Sequence, residues 1–207
     1  VSRFVLISSL GVYGPQNLQN GSTLDETCPL DAQPHARDAY SYSKLLQEQQ
    51  AREIAEARDL PLVIVRPGVI FGDERGVLSD RVGLRFGNWL LRMGGRQRLP
   101  FTYVDNCASA VALAGTVNGL TDDQPIVTLN VVDNELPTGR DVIRRCRQAG
   151  KPLRVIPIPR WAIRPLAMFN EWYSERTEYQ IPKVLTRHRV AAMWKPLNYS
   201  NERARHL

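Results

Sequence analysis

Two unbroken apolar runs, Phe4-Val5-Leu6-Ile7 and Leu62-Val63-Ile64-Val65, constrain the fold of this chain more than any other feature. Each is too short for a helix and rich in β-formers, so both predict strands. Neither alternates with polar residues, which requires that both faces of each strand be covered. Between them lies a long loop from Gly11 to about Ala36, punctuated by Gly14-Pro15, Asn20-Gly21 and Pro29. Asp38 then stands where a helix cap belongs, ahead of a segment running to about Arg58 with apolar positions at Leu45, Leu46, Ile54 and Ala55. Strand, helix and strand in that order predict a parallel βαβ crossover.

The remaining segments continue the alternation. Val82 to Met93 predicts a helix stopped by Gly94-Gly95, and Phe101 to Val104 a short strand. Asp105 or Asn106 is placed to cap an apolar helix from Ala108 to Val117. Ile126 to Val132 reads as a strand, Thr138 as the cap of a helix through Cys146, and Val155 to Ile158 as a fifth strand. The tail after Arg160 reads as mostly helical. Its apolar-aromatic stretch Trp161 to Trp172, with Met168 and Phe169, is read as a packed helix, because Arg164 and Glu171 interrupt it. Repeats and low-complexity segments are absent, and the class is α/β.

Composition narrows the function classes. The chain has 207 residues, 43% hydrophobic and 23% charged, an ordinary globular mix long enough to bury a core. No run approaches the ~20 apolar residues of a membrane span. Cys28, Cys107 and Cys146 are odd in number and far apart, which argues against a disulfide framework or a zinc site. With no secretory leader at the start, these features predict a cytoplasmic protein. His35, His188 and His206 share no metal-ligand spacing, so no metal is expected. The formal charge is +6, from 27 basic against 21 acidic residues. The arginines are scattered and often sit beside acids, as in Arg52-Glu53 and Arg58-Asp59, which reads as a solvated basic face and not a nucleic-acid surface.

No GxGxxG and no P-loop occurs anywhere in the chain, so no visible motif grips a pyrophosphate. The chemistry-bearing constellation is Tyr40-Ser41-Tyr42-Ser43-Lys44. Positions i and i+4 share a helix face, so a phenol and an ammonium can enter one cleft. A phenol ionises near pH ~10 and is a poor base at neutrality; a neighbouring cation favours the phenolate and fits it for proton transfer. The same spacing recurs at Tyr179-Gln180-Ile181-Pro182-Lys183, where Pro182 spoils the helix and marks an accident. Context separates the two. Tyr40 starts a helix that follows a buried strand ending in Ser8-Ser9, and ligands of open α/β sheets bind beyond the carboxyl ends of strands. Arg66, at the end of the second strand, suits an ion pair or a substrate contact equally well. Tyr13 reads as a loop anchor.

Ser8-Ser9-Leu10-Gly11-Val12-Tyr13-Gly14, then Tyr40-x-x-x-Lys44, then Arg66-Pro67-Gly68-x-x-Phe71-Gly72 resemble the extended short-chain dehydrogenase/reductases, the NAD-dependent epimerase/dehydratase superfamily. Phe101-Thr102-Tyr103-Val104-Asp105-Asn106 and Leu129-Asn130-Val131-Val132 are similar to later landmarks of that family. The resemblance implies the carboxyl-terminal part of a Rossmann-type doubly wound parallel sheet with a small α/β substrate-side subdomain. The implied division puts the catalytic half in residues 1–75 and the substrate-side subdomain with returning Rossmann elements in 76–207. It implies a catalytic set of Ser9, Tyr40 as general acid/base and Lys44 on the nicotinamide ribose, with NAD or NADP as cofactor. Ser8, Pro67 and Ile70 would line the nicotinamide pocket.

The chain departs from the family in instructive ways. The family's glycine-rich loop precedes the serine strand, whereas here that strand begins at residue 3. The expectation is a piece of a longer protein, binding NAD(P) weakly when isolated and leaving one edge of its sheet uncovered. The acidic pair of the family's dehydratases is replaced by Leu10 and Gly11, which argues against dehydration. Val69 and Asp73 stand where nucleotide-sugar enzymes carry Asn and Pro, and Leu99-Pro100 where they carry Arg-Asp, although Arg96 and Arg98 can replace that charge on a substrate. The pattern is more similar to the 3β-hydroxysteroid dehydrogenase-like branch, which implies an alcohol/ketone oxidoreductase. A sugar-nucleotide 4-epimerase and a non-catalytic NAD(P)-sensing protein are the alternatives. The expected partner is a small-molecule substrate, without stable membrane insertion, and pairing with a second copy is compatible with such a sheet.

Overall fold

A computed structural model describes residues 3–36, 38–72, 78–93, 96–116, 125–150, 153–177 and 186–206. Its centre is a parallel sheet of β1 (Phe4–Ile7), β3 (Leu62–Pro67) and β8 (Ile126–Val131), in the order β1-β3-β8. The register runs Val5↔Val63 and Val63↔Val127. β3 is the middle strand and is buried along its whole length, which explains its lack of alternation. Side chains of odd and even positions go to opposite faces. Val63, Val65, Val127 and Leu129 pack with Ala110, Val111 and Ala114 of α2 (Val104–Ala114). Leu62 and Ile64 pack with Ala51 and Ala55 of α1 (Ala39–Ala57). At ~1.5–3 kcal/mol per fully buried aliphatic side chain, β3 is the main source of cohesion in this sheet.

The predicted crossover is therefore present, with helices on both faces of the sheet. Asp38 caps α1 by accepting the Ser41 N–H at 2.8 Å. Among the described residues β1 pairs with β3 alone, and Phe4 and Ile7 are 46% and 45% exposed on its outer edge. The loop after β1 makes three short 3₁₀ turns, two before and one after the strand β2 (Thr23–Leu24), which pairs with β10 (Asn198–Tyr199). β4 (Val69–Phe71) pairs in parallel with β7 (Phe101–Tyr103). α3 (Gly139–Gln148) begins at Thr138 with a reciprocal capping box to Asp141, as the sequence predicts. α4 (Arg160–Arg176), α5 (Arg187–Trp194) and α6 (Glu202–His206) complete the described helices.

Three expectations are corrected. The segment from Val82 to Met93 is a hairpin, β5 (Gly83–Phe86) and β6 (Trp89–Met93), which β9 (Arg154–Ile158) extends into a three-stranded sheet. Phe86 pairs with Trp89, leaving a two-residue turn at Gly87-Asn88, and Gly87 has φ 57°. That positive φ is what a two-residue hairpin turn demands of its first central residue, and glycine supplies it without strain. The helix stop at Gly94-Gly95 and the helix end at Val117 lie outside the described residues, as does Asp73.

Second, neither Asp105 nor Asn106 caps α2. The helix begins one residue after Tyr103, whose N–H is accepted by Asp133 at 3.0 Å from the loop after β8, and Asn106 donates to the same carboxylate at 2.9 Å. A distant carboxylate has taken over the capping role. Third, the aromatic stretch of α4 is not core. Trp161 is 79% exposed, Phe169 58%, Met168 54% and Trp172 51%.

Candidate active site

Ser8 and Ser9 follow β1 directly, and the Ser8 N–H donates to Val65 O at 2.7 Å, carrying the parallel ladder one step past the strand. The two serines thus sit at the carboxyl end of the sheet beside the end of β3, where Pro67 is buried. Ser9 caps the 3₁₀ turn Leu10–Val12, its Oγ accepting the Gly11 N–H at 3.0 Å. That bond uses an acceptor site and leaves the hydroxyl proton free to donate.

The first turn of α1 approaches the same place. A Cβ built on Gly11 would lie 3.1 Å from Ser41 Oγ and 3.3 Å from Ser9 Oγ, so the missing side chain is what lets helix and serine come together. Ser41 Oγ is itself held by Asp38 Oδ2 at 3.0 Å. Tyr40, beside Ser41, is 57% exposed. One turn further on, Lys44 Nζ donates to Ile7 O at 2.9 Å. An ammonium has three donors, so two are left for other acceptors. Ser8 Oγ is buried with no hydrogen-bond partner among the described residues.

Below this crevice lies a buried polar network. Arg66 makes a bidentate pair with Glu48, Nε to Oε1 at 2.9 Å and a second guanidinium nitrogen to Oε2 at 2.6 Å. Its guanidinium also lies 4.6 Å from the centre of the Tyr13 ring, and the Tyr13 hydroxyl donates to Asn130 Oδ1 at 2.8 Å. Burial pushes the Tyr13 phenol up to about 12, against the opposing pull of Arg66. Arg66 is therefore an ion-pair residue, and Tyr13 is the anchor of the loop after β1. Glu48 is the residue that sequence reasoning missed. Its signal is the spacing Tyr40, Lys44, Glu48 along one face of α1.

The other candidates lie elsewhere. Ile70 is in β4, paired with Thr102 of β7. Arg96 and Arg98 are exposed, Arg98 forming an isolated bridge with Thr138. Neither arginine side chain makes a hydrogen bond or ion pair among the described residues. Tyr179 and Lys183 fall outside those residues. A cavity of about 1070 Å³ opens between the loop after β1 and the helices α4 and α5, lined by Gln16, Arg164, Met168, His188 and Lys195 among others. Buried Asp31 holds the lining residue His188, its Oδ2 3.0 Å from Nε2, and Lys195 donates to Gln16 O at 2.8 Å.

Comparison with known proteins agrees with the Rossmann-type α/β sheet. The family model described as the NAD dependent epimerase/dehydratase family matches residues 1–124. The chain belongs to that family. Cinnamoyl-CoA reductase 2 of Arabidopsis thaliana is 37% identical over 75 residues, covering 35% of this chain and 23% of that protein. Cinnamoyl-CoA reductase 1 of the same plant is 35% identical over 75 residues, covering 35% and 22%. The crystal structure of gox2253 superposes with a TM-score of 0.70 at 21% identity, over 100% of this chain and 60% of that one. UDP-glucose 4-epimerase of Thermus thermophilus, in complex with NAD, gives 0.59 at 21%, over 100% and 58%. These structures share the fold, and the chain spans less than a quarter of the reductases and about three fifths of the two solved chains.

Proposed function

We propose that this chain carries the proton-transfer side of an NAD(P)-dependent oxidoreductase acting between a secondary alcohol and a ketone. The observation that carries this reading is the bond from Lys44 Nζ to Ile7 O, which fixes a cation at the end of β1 one turn from Tyr40 and next to Ser8 and Ser9. The residues present suit a nicotinamide cofactor. The unpartnered buried hydroxyl of Ser8 matches a carboxamide, Pro67 offers apolar wall, and the free donors of Lys44 match ribose hydroxyls. Bound there, the nicotinamide supplies or accepts the hydride. The Ser9 hydroxyl donates to the substrate oxygen, and Tyr40 Oη takes the alcohol proton in oxidation and returns it in reduction. Lys44, one turn further along α1, contributes positive charge to the same crevice.

The oxidoreductase reading is favoured over an epimerase by the two relatives named as reductases. The epimerase reading keeps one observation of its own, the exposed side chains of Arg96 and Arg98, which suit a diphosphate. Tyr40→Phe in the full product of the gene tests the proposal, with aldehyde, ketone and thioester panels and NAD(P)H absorbance as the readout. A ~10²–10⁴-fold loss of turnover is expected, with cofactor binding retained; unchanged turnover contradicts it. Saturable UDP-sugar binding that Arg96→Ala or Arg98→Ala abolishes favours the epimerase.

A further inference from the structure

α4 is an amphipathic helix turned inside out. Its inward stripe is Ile163, Ala167 and Ser174, which are 5%, 0% and 0% exposed. Two of those three are small or polar. The opposite side carries Trp161, Leu166, Met168, Phe169, Trp172 and Tyr173, each between 40% and 79% exposed. Ordinary surface helices put their polar face outward. Here the largest apolar side chains of the helix face away from the body of the protein.

These side chains form an ordered patch. The Phe169 ring is stacked on Tyr173 at 5.8 Å and tilted against Trp172 at 6.0 Å, and the Arg176 guanidinium lies 5.4 Å from the Trp172 ring centre. At ~150–250 Å² per aromatic side chain, the four rings alone expose on the order of 500 Å², the size at which a surface patch signals an interaction.

We infer that α4 docks the protein on an anionic lipid surface, lying in the plane of the interface. Two observations select this occupant. The patch is dominated by Trp and Tyr, whose rings have an apolar body and a polar edge, and none of those polar edges has a hydrogen-bond partner among the described residues. Such side chains settle at the boundary between hydrocarbon and headgroups. The charge also matches. α4 carries Arg160, Arg164 and Arg176 against Glu171 and Glu175, so the helix is net basic in a chain of net charge +6. Arg164 shares the wall of the adjoining cavity with Lys195 and with Glu171, and burial and Arg164 together lower the Lys195 pKa. An anionic headgroup relieves that repulsion. α4 has 17 residues with charges inside it, and no described helix is long and apolar enough to cross a membrane. The helix therefore lies on the bilayer and does not span it.

Co-sedimentation with phosphatidylcholine vesicles, with and without a quarter phosphatidylglycerol, tests the inference alongside tryptophan emission. Binding to the anionic vesicles, weakened by added salt and accompanied by a blue shift, is expected. The double variant Trp161→Ala, Trp172→Ala is expected to reduce binding at least about tenfold and to remove the shift, with Trp89 and Trp194 as constant background. Both positions are exposed, so the thermal melt by circular dichroism should be unchanged. No binding overturns the inference, and equal binding to neutral and anionic vesicles overturns its electrostatic half. A concentration-dependent dimer that shields Trp172 without any vesicle binding assigns the face to a second copy instead.

Discussion

Lys44 Nζ donates to the main-chain oxygen of Ile7 at 2.9 Å, tying the second turn of α1 to the last residue of β1. The bond joins the two halves of the proposed centre, because Tyr40 precedes Lys44 by one turn and Ser9 follows Ile7 by two residues. It makes the position of the cation a property of the βαβ crossover and not of a mobile side chain.

Gly11 is the spacer between those halves. Gly11→Ala sets a methyl 3.1 Å from Ser41 Oγ and 3.3 Å from Ser9 Oγ, so one of the hydroxyls must shift by a few tenths of an ångström. Turnover is expected to fall on the order of tenfold or more, through kcat and with little change in the melting temperature. Unaltered kcat separates Ser9 from the reaction.

The Glu48–Arg66 pair lies inside the crossover, 1% and 3% exposed. Glu48→Ala strands a buried guanidinium and is expected to cost ~3–5 kcal/mol in urea unfolding. Replacing both residues with apolar ones of similar volume, Glu48→Leu with Arg66→Met, is expected to recover most of the loss. If the single variant is as stable as the wild type, the pair is not the clamp described here.

Tyr13 supplies the pH dependence. Its phenol is raised to about 12, chiefly by burial. A group whose folded pKa lies above its unfolded value, ~10 for tyrosine, gives full stability below pH ~10 and loses it as the pH rises toward 12. One tyrosine should therefore resist ionisation in an absorbance titration at 295 nm until the chain unfolds, and unfolding should become easier between pH 10 and 12. Tyr13→Phe should remove both effects. Ordinary titration of every tyrosine contradicts the burial of Tyr13.

The central sheet and its crossover were legible because strands buried on both faces are written as unbroken apolar runs. Thr138 and Asp38 were legible because a cap is a local interaction. The hairpin at Gly83–Met93 was not, since its apolar residues fit a helical period as well as an extended one, and only Gly87-Asn88 marks the turn. The exposure of Trp161 and Trp172 was hidden for a different reason: which face of a helix packs inward depends on what it meets, and here Ala167 and Ser174 fit. In the candidate site, Tyr40 and Lys44 announce themselves by spacing. Glu48 continues that spacing, but its role is not legible from it, because its partner Arg66 lies on another element; likewise Asp133 caps α2 from a loop 30 residues away from the N–H it accepts.

The most direct measurement is calorimetric titration of the full gene product with NADH and NADPH, beside its Lys44→Ala variant. Removing the ammonium deletes the proposed charge-assisted hydrogen bonds to the ribose, worth ~1.5–3 kcal/mol, so a 10- to 100-fold weaker Kd is expected, with only a small fall in melting temperature from the lost bond to Ile7 O. Equal affinity in the two proteins, or no nicotinamide binding by either, contradicts a nicotinamide site at the end of β1.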